Sequence, residues 1–180
     1  MEEKGAAEAV RICARLLERG VPCRLSIVGG PGSGSRLKDS AYFREVRAAA
    51  AVVNERYGAG TVIVHGHVAH EVLQREMRRA WAFVYPCSWE EPFGLVVAEA
   101  MAVGLPVITY ARGGIPEIVE DGVHGRVLDP RRGVDDFALA IAELDPERRL
   151  EIAERSTADA QARFGWQMLA ERTFALLERA

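Results

Sequence analysis

The sequence predicts an α/β fold in which a parallel sheet is covered by helices on both faces. Short, nearly continuous apolar segments alternate with segments whose apolar residues recur at helical spacing. Strands that are buried on both faces have this composition, and helices are the usual connections between parallel strands. We therefore expect a Rossmann-like, doubly wound sheet in a single domain over residues 1–180.

The order of the elements follows from these segments and from the turn residues between them. The predicted strands are CRLSIV, TVIVH, WAFVY, PVITY and RVL, at 23–28, 61–65, 81–85, 106–110 and 126–128. Helices are expected at 5–19, from Ser40 past Val53, and near 70–79, 94–103, 134–144, 146–163 and 166–179. In the first helix the spacing places Ala6, Ala9, Val10, Cys13, Leu16 and Leu17 on one face, and Gly20 supplies the stop.

Composition and charge limit the classes of partner. The 180 residues are 49% hydrophobic and 27% charged, with a net charge of -3, which is typical of a soluble globular domain. This balance disfavours nucleic acid and anionic membranes as partners, and no apolar run reaches the roughly 18 residues of a membrane span. The chain has an odd number of cysteines, and they lie among apolar residues: Cys13, Cys23 and Cys87. We therefore expect reduced thiols in a cytoplasmic protein.

The loops after the predicted strands are the expected places for a site, because ligands bind beyond the carboxyl ends of parallel strands. The loop GGPGSGS, 29–35, has glycines that would admit an anion, but it matches no phosphate-binding motif, so a surface loop is the simpler interpretation. Gly29 and Gly30, at the strand end, would still border a ligand. His65, His67 and His70 are not expected to bind a metal, because strand side chains alternate between faces.

The segment SWEEPFGLVVAEAMAVGLPVITYARGGIPEIVEDG, 88–122, carries the clearest chemical signal. Gly94 opens a helix whose free N–H groups and dipole favour an anion, with Glu91 just before it and Glu99 about a turn and a half inside. A ligand with two polyol groups linked by phosphates would engage both carboxylates and the helix start, and a nucleotide-sugar has that anatomy. Ordinary solvated glutamates explain the spacing equally well, although the apolar residues around Glu99 leave it few solvated neighbours.

The same segment resembles the donor-binding half of GT-B glycosyltransferases, specifically the retaining family four. EPFGLVVAEAMAVGLPVI and GGIPEIVEDGVHGRVLDP meet its ExFGxxxxE, EAMAxGxPVI and GGxxE(I/V)VxDGxxG patterns, and the likeness extends from KGAAEAVRICARLLERG to RFGW. The resemblance implies the C-terminal half of a GT-B fold and hexosyl transfer with retention from a UDP-, GDP- or ADP-linked sugar. It also implies that no metal or other cofactor is needed.

Individual roles follow from the resemblance alone. Glu91 would bind hydroxyls of the transferred sugar, and Glu99 the ribose hydroxyls. Lys4 would neutralise the diphosphate leaving group. The remaining contacts implied are backbone amides around Phe93, Gly94 and Leu95 at the sugar and diphosphate, and His67 and Val68 at the base.

The chain departs from the family at its start. Members carry a central strand ending in a Gly-Arg pair before the Lys-Gly pair, whereas here only MEEK precedes Gly5. That strand would lie between the strands equivalent to CRLSIV and WAFVY, so its absence would leave two unpaired edges. The N-terminal acceptor domain is also absent, which would leave Trp166, Leu169, Phe174 and Leu177 uncovered. We therefore expect a fragment that is inactive without that domain.

Two other interpretations remain open at the level of sequence. One is a non-catalytic module that binds a nucleotide or sugar phosphate. The other is a different GT-B enzyme, such as a sugar-nucleotide epimerase or a phosphorylase.

Overall fold

The computed structural model describes residues 4–30 and 41–178, and it confirms the alternation of strands and helices. The strands are β1 (Leu25–Val28), β2 (Val62–Gly66), β3 (Phe83–Tyr85), β4 (Val107–Tyr110) and β5 (Gly125–Leu128). The helices are α1 (Ala6–Glu18), α2 (Ala41–Tyr57), α3 (His70–Arg79), α4 (Leu95–Ala102), α5 (Ile115–Ile118), α6 (Val134–Ala142), α7 (Pro146–Phe164) and α8 (Trp166–Leu177). The single turn α5 is too short to show a periodic pattern. Most of the GGPGSGS loop and the capping residue Ser40 lie outside the described residues.

The parallel strands form two sheets rather than one. β1 pairs with β2, and β4 lies between β3 and β5. In the part of the chain that the structure describes, no backbone pairing joins β1 to β3, so each has one edge without a neighbouring strand. The division falls where the resemblance places the absent strand, and that strand itself stays a prediction.

Helix α1 packs against both sheets. Ile12 and Leu16 belong to a buried cluster with Ile108 of β4 and Phe137 of α6, whereas Val10 and Cys13 pack with side chains of α2 and with Val62 of β2. Ile12 is absent from the predicted apolar stripe, yet it is only 2% exposed. A helix that spans two sheets buries a wider face than a single stripe suggests.

The opposite face is covered by α4 and α7. Val97 and Met101 of α4 form a buried cluster with Val107 of β4 and Ala160 of α7. Met77 of α3 belongs to the same cluster, and Glu76 beside it accepts a hydrogen bond from the Ser26 hydroxyl of β1 at 3.4 Å. Helix α3 therefore also contacts elements of both sheets.

Two of the three cysteines are neighbours in space. The Sγ atoms of Cys13 and Cys23 lie 3.6 Å apart, and all three cysteines are free thiols. Their hydrogen bond raises the pKa of Cys13 and lowers the pKa of Cys23.

Helix α8 leaves its apolar side chains exposed. No residue of α8 is buried, and the exposed fractions are 88% for Trp166 and 65% for Phe174. Leu169 and Leu177 are also exposed, as the sequence predicts. Among the described residues, none of the helices combines the length and apolar character that crossing a bilayer requires.

Candidate functional site

The loop between β3 and α4, residues 86–94, forms the centre of the site. It lies beyond the carboxyl end of β3, where parallel sheets bind ligands. Gly94 is the N-cap of α4 in the left-handed conformation, with φ of 85°, and no side chain caps the helix. Among the described residues, no backbone acceptor is found for the N–H groups of Phe93, Gly94, Leu95 and Val96. The helix start therefore offers unsatisfied donors and a positive dipole end to an anion.

Glu91 is a buried carboxylate beside this helix start, with 8% of the residue exposed. Its Oε2 atom accepts a hydrogen bond from the Tyr85 hydroxyl at 2.6 Å and another from Trp89 Nε1 at 3.2 Å. Such donors stabilise a carboxylate that has been removed from water. The side chain is therefore held in one place, unlike that of a solvated loop residue.

Glu90 joins this loop to the one that follows β4. Its carboxylate accepts from the Gly113 N–H at 2.6 Å and from Arg112 Nη1 at 3.1 Å. The Gly114 N–H donates to the Glu91 carbonyl oxygen at 2.8 Å. Glu90 and Arg112 were missed by the sequence reasoning. The available signal was the Gly113-Gly114 pair in the loop after β4, which lets two loops approach closely.

Glu99 lies on the exposed face of α4. Leu95, one turn earlier on the same face, is 72% exposed, whereas Ala98 and Ala100 on either side of Glu99 are buried. The expectation of few solvated neighbours at Glu99 is wrong, because the adjacent apolar residues turn toward the core. Phe93 is 41% exposed, and its ring packs edge-on against Phe164 at 5.6 Å.

Lys4 is placed at the site by the glycine that follows it. Gly5 has a φ of 75°, and a Cβ atom there would lie 2.1 Å from the carbonyl oxygen of Pro86. Only glycine permits this approach of α1 to the loop after β3. Burial raises the pKa of Cys87, and the nearby charge of Lys4 partly offsets this rise. Lys4 itself is exposed.

A second group of candidate residues lies at the carboxyl ends of β1 and β2. The Gly29 N–H donates to the Gly66 carbonyl oxygen at 2.8 Å, which places Gly29 beside the residue that precedes His67. A Cβ atom on Gly30 would lie 3.3 Å from the Gly66 Cα atom. His67 is exposed and Val68 is half-buried. The structure therefore places Gly29 and Gly30 beside Gly66, the residue before His67 and Val68.

The candidates thus form two groups, one at the end of each sheet. Glu91 and Gly94 follow β3 of the three-stranded sheet, and Lys4 precedes the helix start that approaches the same loop. Gly29, Gly30 and His67 follow strands of the two-stranded sheet. No hydrogen bond or ion pair between the two groups is found within the described residues. A ligand that contacts both groups would have to span the division between β1 and β3.

The histidines do not converge on a common point. His65 Nε2 lies 3.3 Å from the Ser26 hydroxyl, and His70 Nε2 lies 2.9 Å from Gln74 Nε2. Over residues 4–30 and 41–178, no group of three or more His, Cys, Asp or Glu side chains is arranged to hold a metal ion.

The sequence matches one family over most of its length. Residues 1–159 match the sequence model of the glycosyl transferases group 1. The chain is 36% identical over 177 residues to the D-inositol 3-phosphate glycosyltransferase of Kribbella flavida, a match that covers 95% of this chain and 39% of that protein. The chain therefore spans less than half the length of this relative.

Solved structures share the fold. Anabaena HepE in complex with UDP and glucose superposes with a TM-score of 0.78 at 24% identity, covering 100% of this chain and 46% of that one. The C-terminal domain of the glycosyl transferase group 1 protein LpcC from Francisella tularensis has a TM-score of 0.75 at 22% identity, covering 92% of this chain and 82% of that one. The chain belongs to the glycosyl transferases group 1, and its fold is that of the C-terminal domain of GT-B glycosyltransferases.

Proposed function

We propose that the chain is the donor-binding domain of a glycosyltransferase that uses a nucleotide-diphospho-sugar linked to UDP, GDP or ADP. The observation that carries this proposal is the start of α4, where unsatisfied backbone donors lie beside the buried carboxylate of Glu91. A diphosphate needs hydrogen-bond donors, and the adjoining sugar hydroxyls need an acceptor. Both requirements meet at one place.

In this assignment each group takes one part of the ligand. The N–H groups of Phe93, Gly94 and Leu95 bind the diphosphate and the near side of the sugar, and Glu91 accepts from the sugar hydroxyls. Glu99, exposed along α4, accepts from the ribose hydroxyls. Gly29 and Gly30 border the ligand, and the backbone of His67 and Val68 faces the base.

The proposed reaction transfers a hexosyl unit with retention and without a metal. The bond between the anomeric carbon and the diphosphate oxygen breaks, and a bond from the anomeric carbon to the acceptor oxygen forms on the same face. The proton of the acceptor hydroxyl passes to the leaving diphosphate oxygen. Lys4 and the positive end of α4 stabilise the charge that develops on the leaving diphosphate, as a cation does in other enzymes. The adjoining Gly5 lets the start of α1 approach the loop after β3, which would bring Lys4 near the diphosphate.

The related proteins support this choice of ligand. The structure of HepE contains UDP and glucose, and the Kribbella relative is named for glycosyl transfer to D-inositol 3-phosphate. Because the chain spans only 46% and 39% of these two proteins, we propose that an N-terminal domain binds the acceptor, from the same gene or from a partner chain. The exposed apolar face of α8 would pack against it.

We further propose that a parallel strand occupies the division between β1 and β3. Helix α1 begins beside Pro86, at the carboxyl end of β3, and leads into the start of β1. In a β-α-β unit, the strand before such a helix lies parallel to the strand after it, and usually beside it. A strand that leads into Lys4 would therefore pair with the unpaired edges of β1 and β3.

Titration calorimetry of the chain with UDP, GDP, ADP and their sugars tests the proposal. The Glu99→Ala variant should bind the preferred nucleotide about tenfold more weakly, because hydrogen bonds from the ribose to a charged acceptor are lost. Glu154→Ala on the exposed face of α7 is the matched control and should bind like the parent. The proposal fails if a folded parent binds none of the ligands, or if the Glu99 and Glu154 variants bind equally well.

A further inference from the structure

Glu91 is held by two hydrogen-bond donors that reach the same oxygen atom. We propose that Tyr85 and Trp89 are positioning residues, which hold Oε2 of Glu91 so that Oε1 faces the sugar of the donor. This inference rests on the proposed function, since it assigns Glu91 to the sugar. It adds two side chains to which the sequence motifs give no role.

Tyr85 is suited to this task because it is rigid and remains a donor. It lies on β3, is 5% exposed, and its carbonyl oxygen accepts a hydrogen bond from the Thr109 hydroxyl of β4 at 2.9 Å. Burial and the hydrogen bond to Glu91 raise the pKa of the phenol far above the physiological range. The hydroxyl therefore stays protonated and donates to Oε2 at 2.6 Å.

Trp89 provides the second donor from within the loop. Its indole Nε1 lies 3.2 Å from Oε2, and the residue is 36% exposed. The Cys87 thiol donates to the Trp89 carbonyl oxygen at 3.5 Å, which helps to fix the loop backbone. Trp89 therefore holds the carboxylate from the solvent side, and Tyr85 from the core side.

The other oxygen of Glu91 is left for a ligand. In the described part of the chain, both hydrogen bonds to the carboxylate go to Oε2, and no donor to Oε1 is found. Oε1 is also not among the buried polar atoms of that part that lack a partner. A carboxylate that is already fixed loses little conformational freedom on binding. It therefore binds a correctly placed hydroxyl more tightly than a mobile carboxylate would.

The test compares ligand binding by two variants, each of which lacks the hydroxyl of one tyrosine. Tyr85→Phe removes the donor to Glu91, whereas Tyr110→Phe removes another hydroxyl from the same sheet, which donates to the Arg132 carbonyl oxygen at 2.9 Å. Calorimetry with UDP and with UDP-glucose, and with the GDP and GDP-mannose pair, separates contacts to the nucleotide from contacts to the sugar. Thermal unfolding checks that both variants fold.

The expected result is selective. Tyr85→Phe should weaken binding of the nucleotide-sugar about tenfold and leave binding of the nucleotide unchanged, because only the sugar contacts Glu91. Tyr110→Phe should change neither, and Trp89→Phe should act like Tyr85→Phe with a smaller loss. Equal losses for nucleotide and nucleotide-sugar, or no loss in the Tyr85 variant, would overturn the positioning role.

Failure of the proposed function is a separate outcome. A parent that binds no nucleotide overturns that function, and the crystal structure of ligand-free Tyr85→Phe then decides the positioning. A Glu91 carboxylate that turns away from its place in the parent supports the role. A carboxylate that stays in place in the variant overturns it.

Discussion

The two sheets differ in how completely they are buried. All four residues of β4, the central strand of the three-stranded sheet, are buried, whereas no residue of β1 in the two-stranded sheet is. The loops after β3 and β4 are also tied to each other through Glu90, Gly113 and Gly114. The part of the site around Glu91 is therefore supported by its own sheet, while the part around Gly29 lies on a sheet that lacks a neighbour on one side in the described residues.

Matched isoleucines test this difference most directly. Ile108 of β4 is 1% exposed, and Ile27 of β1 is half-buried. Ile108→Ala should lower the free energy of unfolding by about 4 kcal/mol, because it leaves a cavity in a closed core, and Ile27→Ala by less than half as much. Urea denaturation of the two variants measures both values. Equal losses would show that the two-stranded sheet is as well packed as the other.

The junction at Gly5 gives the next largest effect. In Gly5→Ala, the new Cβ atom meets the Pro86 carbonyl oxygen at 2.1 Å in a backbone with φ of 75°. We expect a loss of about 3 kcal/mol from the strain and the overlap combined. Gly20→Ala is the matched control at the other end of α1, because its φ is 78° and no atom lies within 4 Å of the added Cβ.

The control should lose only about 1 kcal/mol, from backbone strain alone. Thermal or chemical denaturation gives the comparison. If both variants lose the same amount, α1 does not depend on its approach to Pro86, and the placement of Lys4 loses its support.

The smallest expected effect is a dependence of the free energy of unfolding on pH, through His124. His124 is 4% exposed, its Nδ1 accepts from the Glu120 N–H at 3.1 Å, and Nε2 lies 3.6 Å from Asp159. Burial lowers the pKa of His124, and the charges of Asp159 and Glu120 partly oppose this. Because the unfolded chain binds the proton more readily, the contribution of His124 to stability is complete above about pH 6.5 and is lost as the pH falls.

Urea denaturation at pH 7.5 and pH 5.5 measures this contribution. The parent should lose more of its free energy of unfolding on acidification than His124→Gln, which has no imidazole to protonate. An equal loss in both proteins would mean that protonation of His124 has no net cost in the folded state.

Much of the fold was predictable because local pattern and burial agree. The expected helix near 70–79 is α3 with the same bounds, and each predicted strand lies within two residues of an observed one. Reasoning from the local pattern failed for a helix that packs against two sheets and for the exposed face of a helix whose other faces are apolar. Ile12 is buried although it lies off the predicted stripe, and Glu99 is exposed although its neighbours in sequence are apolar.

The sequence by itself determined the family and the order of the elements, and it predicted Glu91, Gly94 and Glu99 as site residues, because these depend on residue types at fixed spacing. The tertiary structure alone decided which side chains hold that segment. Tyr85 and Trp89 meet at one oxygen of Glu91, and Glu90 reaches the amide of Gly113, over 20 residues away in the chain. Spacing cannot reveal such contacts, because they depend on how strands and loops pack side by side.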